Sequence, residues 1–475
     1  MRGRVVAAAA AAVVVLTGAW AGLDVVDAVP GPLTTTAPPT APPLPTAPAA
    51  DPAAQRPAAA VLEAVAADAP VPDAAVLDGV LAPLLADPAL GPRVSAAVAD
   101  AATGQPLLTR DADASRAPAS TTKVLTAVAA LDALGPGSRA TTRVVAGATA
   151  DEVVLVAGGD VLLDGAAGDP ALVDGRAGLG DLADAAAAAL LARGRTSVAL
   201  RLDDGLFTGP AVSPGWGSGD VAAGYVAPIS PLAVDEGRLR DVPNPPREPD
   251  PALAAAAQLA EGLTARGVRV VGDVARAAAP PGAEELAAVS SATTAEQVEL
   301  MLATSDNTLA EVLARRVALA SGRPGTFDDA SAAVVERVAA LGVDVTGVRL
   351  QGGSGLGRET RLTASALRDL LVLAASDDPG AAHLRAAVTG LAVCGATGTL
   401  SLRCDTAPAA AGGGAVRAKT GTLTGVSSLA GYAQTADGRL LAFAVLADAV
   451  PPGGTLAAQE VLDRVGAALA ACGCR

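Results

Sequence analysis

The chain has 475 residues, a formal net charge of −15, and a composition that is 51% apolar but only 1% aromatic. This length accommodates two or three domains, whose cores must be built from Ala, Val and Leu. The acidic balance argues against a nucleic-acid partner, whose phosphates call for a basic surface. With four cysteines out of zinc-finger spacing and one histidine, neither a metal nor a cofactor is expected.

Arg2 and Arg4 precede an uncharged run from Val5 to Leu23, in which "AWA" (Ala19 to Ala21) resembles a small-residue cleavage site. Residues 1–21 fit either a cleaved signal peptide or a retained membrane anchor, since the apolar run is long enough to span. Either way the protein is expected outside the cytoplasm, secreted or attached to the cell envelope. Residues 22–60 are Pro/Thr-rich and read as a linker that cannot form a packed core.

Helical spacing of apolar residues then runs through 59–87. A hairpin over 93–111 is predicted to turn near Thr103-Gly104, followed by a helix from about Ser120 to Leu134 that Gly135 stops. From about 145 to 290 the texture changes. Strands ("DEVVLVAGG", "TSVALRLDD", "VRVVGDVARA") mix with a helix over 179–193 and long Gly/Pro loops, which reads as an inserted module at 146–284. Helical spacing resumes over 293–320, with Thr294 and Gln297 predicted as a capping box. The C-terminal part is a strand meander with a hairpin signal at Asp437-Gly438, closed by a helix over 455–471.

Strands near both ends of the chain, each accompanied by helices, predict an α/β (α+β) main domain formed by 61–145 and 285–475. Its sheet would be closed by the two termini and covered by helices. The cysteines suit an oxidising compartment. Cys472 and Cys474 are too close in sequence to pair comfortably, so bonds are expected between them and Cys394 and Cys404. His383 is expected to face solvent.

Lysine is almost absent: the chain has Lys123 and Lys419 and otherwise uses arginine. Lys123 lies three residues after Ser120 at a helix start, so both side chains share one face. A serine hydroxyl becomes nucleophilic when a base takes its proton, and a lysine can do so if burial or a nearby cation lowers its pKa. Lys419 opens Lys419-Thr420-Gly421-Thr422 in a strand-like context. There the lysine and the two hydroxyls suit a carboxylate, and Gly421 leaves room for another backbone. Between them Ser305-Asp306-Asn307 holds one of only two asparagines, the other being Asn244. Each motif alone is weak; together, in the order Ser-x-x-Lys, Ser-x-Asn, Lys-Thr-Gly, they make a specific set.

On these three motifs the sequence resembles the active-site-serine penicillin-recognising enzymes. More narrowly, it resembles the D-alanyl-D-alanine carboxypeptidase/endopeptidase group of low-molecular-mass (class C) penicillin-binding proteins. The narrower likeness rests on the long interval between Ser120 and Ser305, where this group carries inserted domains. Supporting segments are "GGSGLGRETRLTASAL", "GATGTLSLR", "GYVAPISPLAVDEG" and "VLVAGGD". One departure is Gly353, where the family usually has aspartate. The resemblance implies a β-lactamase/transpeptidase-like fold, an antiparallel sheet flanked by helices, with a mixed α/β insertion.

The implied chemistry is hydrolysis of peptidoglycan stem peptides or cross-links through an acyl-enzyme, with inhibition by β-lactams. Ser120 would be the nucleophile and Lys123 its general base, its pKa lowered by the like charge of Lys419. The N–H groups of Ser120 and Thr422 would form the oxyanion hole. Ser305 would relay a proton to the leaving amine, and Asn307 would hold the substrate and orient Lys123. Lys419, Thr420 and Thr422 would take the terminal carboxylate, with Gly421 between them. Two rival readings are a β-lactamase, for which no Glu-x-x-x-Asn follows the second motif, and an inactive wall-binding or sensor protein, although no motif residue is missing.

Overall fold

The computed structural model describes residues 69–473, which lie within one compact unit, Val65–Arg475. The expected signal or anchor and the linker up to residue 60 lie outside the described residues. No helix among the described residues is long and apolar enough to cross a membrane.

Helix α1 (Ala74–Leu85) starts on the Asp73 carboxylate, which accepts two backbone N–H bonds. The predicted hairpin follows as β1 (Val94–Asp100) and β2 (Pro106–Arg110). A 3-10 turn over Ala119–Thr122 leads into α2 (Lys123–Leu134). Strands β3 (Thr141–Ala146), β4 (Glu152–Val156) and β5 (Asp160–Leu163) precede α3 (Leu179–Ala192) and β6 (Ser197–Asp203). Then come β7 (Leu232–Val234), α4 (Pro251–Ala265), β8 (Arg269–Val270), β9 (Ala275–Arg276) and β10 (Glu285–Ser290). Helices α5 (Thr294–Thr304), α6 (Asn307–Ala320), α7 (Phe327–Ala340), α8 (Ala364–Ala375) and α9 (Ala386–Thr389) follow. Strands β11 (Ala392–Val393), β12 (Val416–Leu423), β13 (Val426–Gln434) and β14 (Leu440–Ala447) complete the chain with α10 (Thr455–Ala471).

Six strands form an antiparallel sheet in the order β11-β12-β13-β14-β1-β2. The N-terminal hairpin thus pairs with the C-terminal meander, as the sequence predicts. Alternate side chains serve two cores, as the two-residue strand period requires. Tyr432, Ala442, Ala444 and Leu446 join the helical core containing α2 and α5–α8. Leu429, Leu441, Phe443 and Val445 join the core made with Leu77 of α1 and Leu462 of α10. The small Ala-rich faces let helices approach closely, and α2 is buried continuously from Lys123 to Leu131.

A second sheet runs β10-β3-β4-β6-β8, with β9 also on β6; its β10/β3 and β3/β4 pairs are antiparallel and the rest parallel. Leu155, Leu200 and Leu202 of this sheet pack with Leu182 and Leu190 of α3 and Leu259 and Leu263 of α4.

Several expectations need correction. The capping box is Thr293 with Glu296, one position before the predicted Thr294 and Gln297. Gln297 is instead buried and donates to Ser291 and Ala292. Cys394 bonds to Cys404 and not to the C-terminal pair, because the 394–404 loop folds back to a Cα separation of 5.8 Å. "VRVVGDVARA" yields only the two-residue strands β8 and β9. His383 is partly covered, with Nε2 3.2 Å from Asp132 Oδ1.

Asp100, fully buried at the end of β1, ties the N-terminal hairpin to the start of β14. It accepts Arg439 Nε at 3.1 Å and Arg439 Nη2, the Thr103 hydroxyl at 3.0 Å and the Ala102 N–H at 2.9 Å. Asp100→Ala removes both bonds to the buried Arg439 guanidinium together with those from Thr103 and Ala102, and should cost about 3–5 kcal/mol, read from urea unfolding. A cost within experimental error would show that solvent replaces the pair.

Candidate active site

The site forms where α2, the start of α6 and strand β12 converge. Ala119 is buried with φ 50°, a left-handed backbone that presents Ser120 at the start of the 3-10 turn. The turn carries Lys123 onto the same side as Ser120, and Lys123 Nζ lies 3.0 Å from Ser120 Oγ. The same nitrogen donates to Asn307 Oδ1 at 2.6 Å and to the Ser354 carbonyl at 2.8 Å. An ammonium has three protons, and these three oxygens use them all.

Lys123 is fully buried, and burial lowers its pKa to about 7; the negative charges of Asp306 and Glu311 act in the opposite direction. Of the two expected causes, burial is the larger at Lys123, and the like charge of the two lysines is felt at Lys419. Lys419 is equally buried and is held well below the ordinary lysine range by burial first and by the charge of Lys123 second.

Ser305 sits at φ 63°, the left-handed residue that ends α5 and turns the chain into α6. Its hydroxyl is not among the three partners of Lys123. Asp306 caps α6 by accepting the Leu309 N–H at 2.8 Å. That cap aims Asn307 at Lys123 from one side and, through Nδ2, at the Tyr225 carbonyl, 2.9 Å away. Asp306 Oδ2 also accepts Arg238 Nη2 at 3.2 Å, and Arg238 donates to Asp235 and to the buried Glu236. Burial raises the Glu236 carboxyl well above its usual range, and the nearby Asp306 charge adds to this. The 225–238 segment thus clamps the second motif.

Strand β12 brings Lys419, Thr420, Gly421 and Thr422 alongside the 3-10 turn. Gly421 is required by close approach. A β-carbon there would lie 2.1 Å from Ser428 Oγ, 2.5 Å from the Pro118 carbonyl and 3.2 Å from the Ser120 nitrogen. Lys419 Nζ donates to the Thr420 carbonyl at 2.9 Å. The Thr420 hydroxyl bonds Thr399, within the loop closed by the Cys394–Cys404 disulfide, and Thr422 accepts from Gln459 of α10. Ser120, Asn307 and Thr422 open onto a cleft of about 540 Å³, also lined by Asp220, Tyr225 and Arg358.

Motif reading missed Ser354, Tyr225, Arg238, Thr399 and Gln459. The first four lie in or beside segments that stand out in the sequence, but three of the contacts use backbone carbonyls or hydroxyls that no residue pattern marks. Cys394, Cys404 and Asp463 gather within 4.8 Å. The sulfurs are bonded to each other and Asp463 to Arg403, so this group offers no free ligand set.

A serine hydroxyl held against a buried lysine near neutrality has the chemistry of a serine–lysine acyl hydrolase. The profile of the D-Ala-D-Ala carboxypeptidase 3 (S13) family matches residues 77–249 and 240–469. The chain is 37% identical over 417 residues to a carboxypeptidase of Mycobacterium tuberculosis, covering 86% of this chain and 87% of the relative. It is 30% identical to a D-alanyl-D-alanine carboxypeptidase of Actinomadura sp., covering 80% and 82%. Its fold matches penicillin binding protein 4 of Haemophilus influenzae with TM-score 0.66 and 21% identity, over 82% of this chain and 97% of that one. The chain belongs to the D-Ala-D-Ala carboxypeptidase 3 (S13) family and is a hydrolase of the serine-type carboxypeptidase class.

Gly421→Ala forces β12 away from the Ser120 turn or strains both. It should cost about 1–3 kcal/mol, the usual range for overpacking, measured by thermal or urea unfolding. An unchanged midpoint would mean that the strand yields freely at this point.

Proposed function

We propose that the 120–123 turn carries out hydrolysis of D-Ala-D-Ala stem peptides by acyl transfer. The observation that supports this reading best is the Lys123–Ser120 contact at 3.0 Å, with burial bringing the amine to about 7. Neutral Lys123 takes the Ser120 proton as Oγ bonds to the carbonyl carbon of the penultimate D-Ala. The oxyanion is held by the N–H groups of Ser120 and Thr422. Collapse breaks the C–N bond, and the terminal D-Ala leaves as an amine after receiving a proton through Ser305. Asn307 keeps Lys123 and the substrate amide aligned. Lys419 with Thr420 and Thr422 takes the terminal carboxylate, and water then releases the acyl group from Ser120.

The same site accepts the terminal residue or a cross-linked partner, so carboxypeptidase and endopeptidase activity are one chemistry here. A β-lactam presents a strained amide to Ser120 and leaves a stable acyl adduct; a related fold, penicillin binding protein 4 of Haemophilus influenzae, is known complexed with a β-lactam. The substrate places the enzyme outside the cytoplasm, consistent with the apolar N-terminal run and the Pro/Thr-rich segment after it. Residues 146–284 act as an accessory module that supports the second motif through Tyr225 and Arg238.

Monomeric and cross-linked muropeptides, digested with the purified protein and read by product mass, test the substrate. Loss of one alanine mass or cleavage of the cross-link supports the reading, and intact substrate refutes it. A fluorescent penicillin should label the protein near one-to-one, and Ser120→Ala should abolish the label; labelling that survives would remove Ser120 as nucleophile.

Lys123 must be neutral to accept a proton, so acylation should rise with pH through about 7 and then level off. Lys123→Arg should abolish acylation, because a guanidinium does not lose its proton. Lys419→Arg keeps the charge and should retain part of the rate. The acylation rate of each folded variant decides the matter, and near-normal acylation by Lys123→Arg would refute the base role.

A further inference from the structure

Glu311 stands one helical turn after Asn307 on α6, with its side chain fully buried. None of the three motifs includes it. Its carboxylate accepts the Gly353 N–H at 2.9 Å, the Ser354 N–H at 3.0 Å and the Ser354 hydroxyl at 2.5 Å. The carbonyl of that same Ser354 accepts Lys123 Nζ. Arg315, the next turn of α6, does not take the carboxylate: it donates to the Pro210 carbonyl and lies 4.0 Å from the centre of the Phe327 ring.

The loop is shaped for this contact. A β-carbon on Gly352 would sit 2.6 Å from Glu311 Oε1, and one on Gly353 would sit 2.6 Å from Ala314 Cβ and 2.8 Å from the Ala310 carbonyl. An aspartate at 353 therefore has no room against α6. The acidic group at this point of the fold comes from the helix, and the loop offers it N–H groups.

We propose that Glu311 is a positioning residue for the Ser120–Lys123 pair: its buried carboxylate grips the 353–354 backbone, and the Ser354 carbonyl in turn holds Lys123 against Ser120. This rests on the reading of Lys123 as the general base. A carboxylate accepting two N–H groups and a hydroxyl replaces the water it lost, which is what makes such a buried group tolerable. Burial raises the Glu311 carboxyl, while the bonds from Ser354 and Gly353 and the charge of Arg315 oppose that rise.

Glu311 also acts on Lys123 through space. The charged groups around Lys123 are Asp306 and Glu311 from α6 and Lys419 from β12; Asp306 is in turn shared with Arg238, which also holds Asp235 and Glu236. Both carboxylates favour the charged form of Lys123, against its burial. Removing the Glu311 charge lowers the Lys123 pKa further, so the acid limb of the rate profile moves to lower pH. A residue serving only to fill space would leave that limb where it is.

The test is the rate of acylation by a fluorescent penicillin across pH, with the full-length purified protein. Glu311→Gln should move the acid limb to lower pH and cut the plateau rate by on the order of tenfold to a hundredfold, the usual cost of a misplaced catalytic group. Glu311→Asp keeps the charge but falls short of the loop, so its plateau should drop while its limb stays near the wild-type position. If Glu311→Gln does not fold, the Glu311→Asp plateau still decides. A folded Glu311→Gln with the wild-type limb, or a Glu311→Asp with the wild-type plateau, overturns the proposal while leaving Lys123 as base. A wild-type protein that penicillin does not label at Ser120 overturns the underlying reading instead.

Discussion

A lysine placed where water cannot reach it is the constraint on which the rest of this site depends. Bringing Lys123 from the ordinary lysine range to about 7 corresponds to a penalty on its charged form on the order of several kcal/mol. Burial supplies that penalty because α2 lies within the helical core from Lys123 to Leu131. Three oxygens then offset part of it and fix the amine in space. The site needs both effects: a lysine without burial stays charged, and one without partners has no reason to point at Ser120.

Those partners come from separate parts of the chain. Asn307 is presented by the first turn of α6, and that turn is set by the Asp306 cap. Asp306 has a second task, because its other oxygen receives Arg238 from the 235–238 segment, where Glu236 lies buried beside two arginines. A charge cluster of this kind is costly to desolvate and adds little net stability. Its effect is geometric: it docks the Tyr225 carbonyl against Asn307 and so couples the region between the first two motifs to Lys123.

The third partner illustrates how one fold can meet a local requirement in different ways. At Gly353 the space a side chain would need is filled by Ala310 and Ala314 of α6. Glu311 on that helix reaches the same loop. On the opposite side of the cleft, the Thr420 and Thr422 hydroxyls are held by Thr399 and Gln459, so both walls are braced from behind.

Much of the architecture was legible because it follows from local periodicity. The 93–111 hairpin, the Asp437-Gly438 turn and the 455–471 helix depend on alternation, turn chemistry and helical spacing, which act over a few residues. The two lysines and Asn307 stood out because so few residues of their kind remain in the chain. The offset of the capping box to Thr293 and Glu296 shows the limit of that legibility: adjacent threonines satisfy the same pattern, and the turn geometry chooses. Cys394 pairs with Cys404 because a loop folds back on itself, which sequence spacing does not encode. So the amino-acid order by itself determined which groups are available for chemistry and the strands and helices that carry them. Tertiary structure alone decided how completely Lys123 is buried, and that the Ser354 carbonyl, on a loop gripped by Glu311, receives it, because desolvation and backbone hydrogen bonds depend on which distant segments pack around a residue.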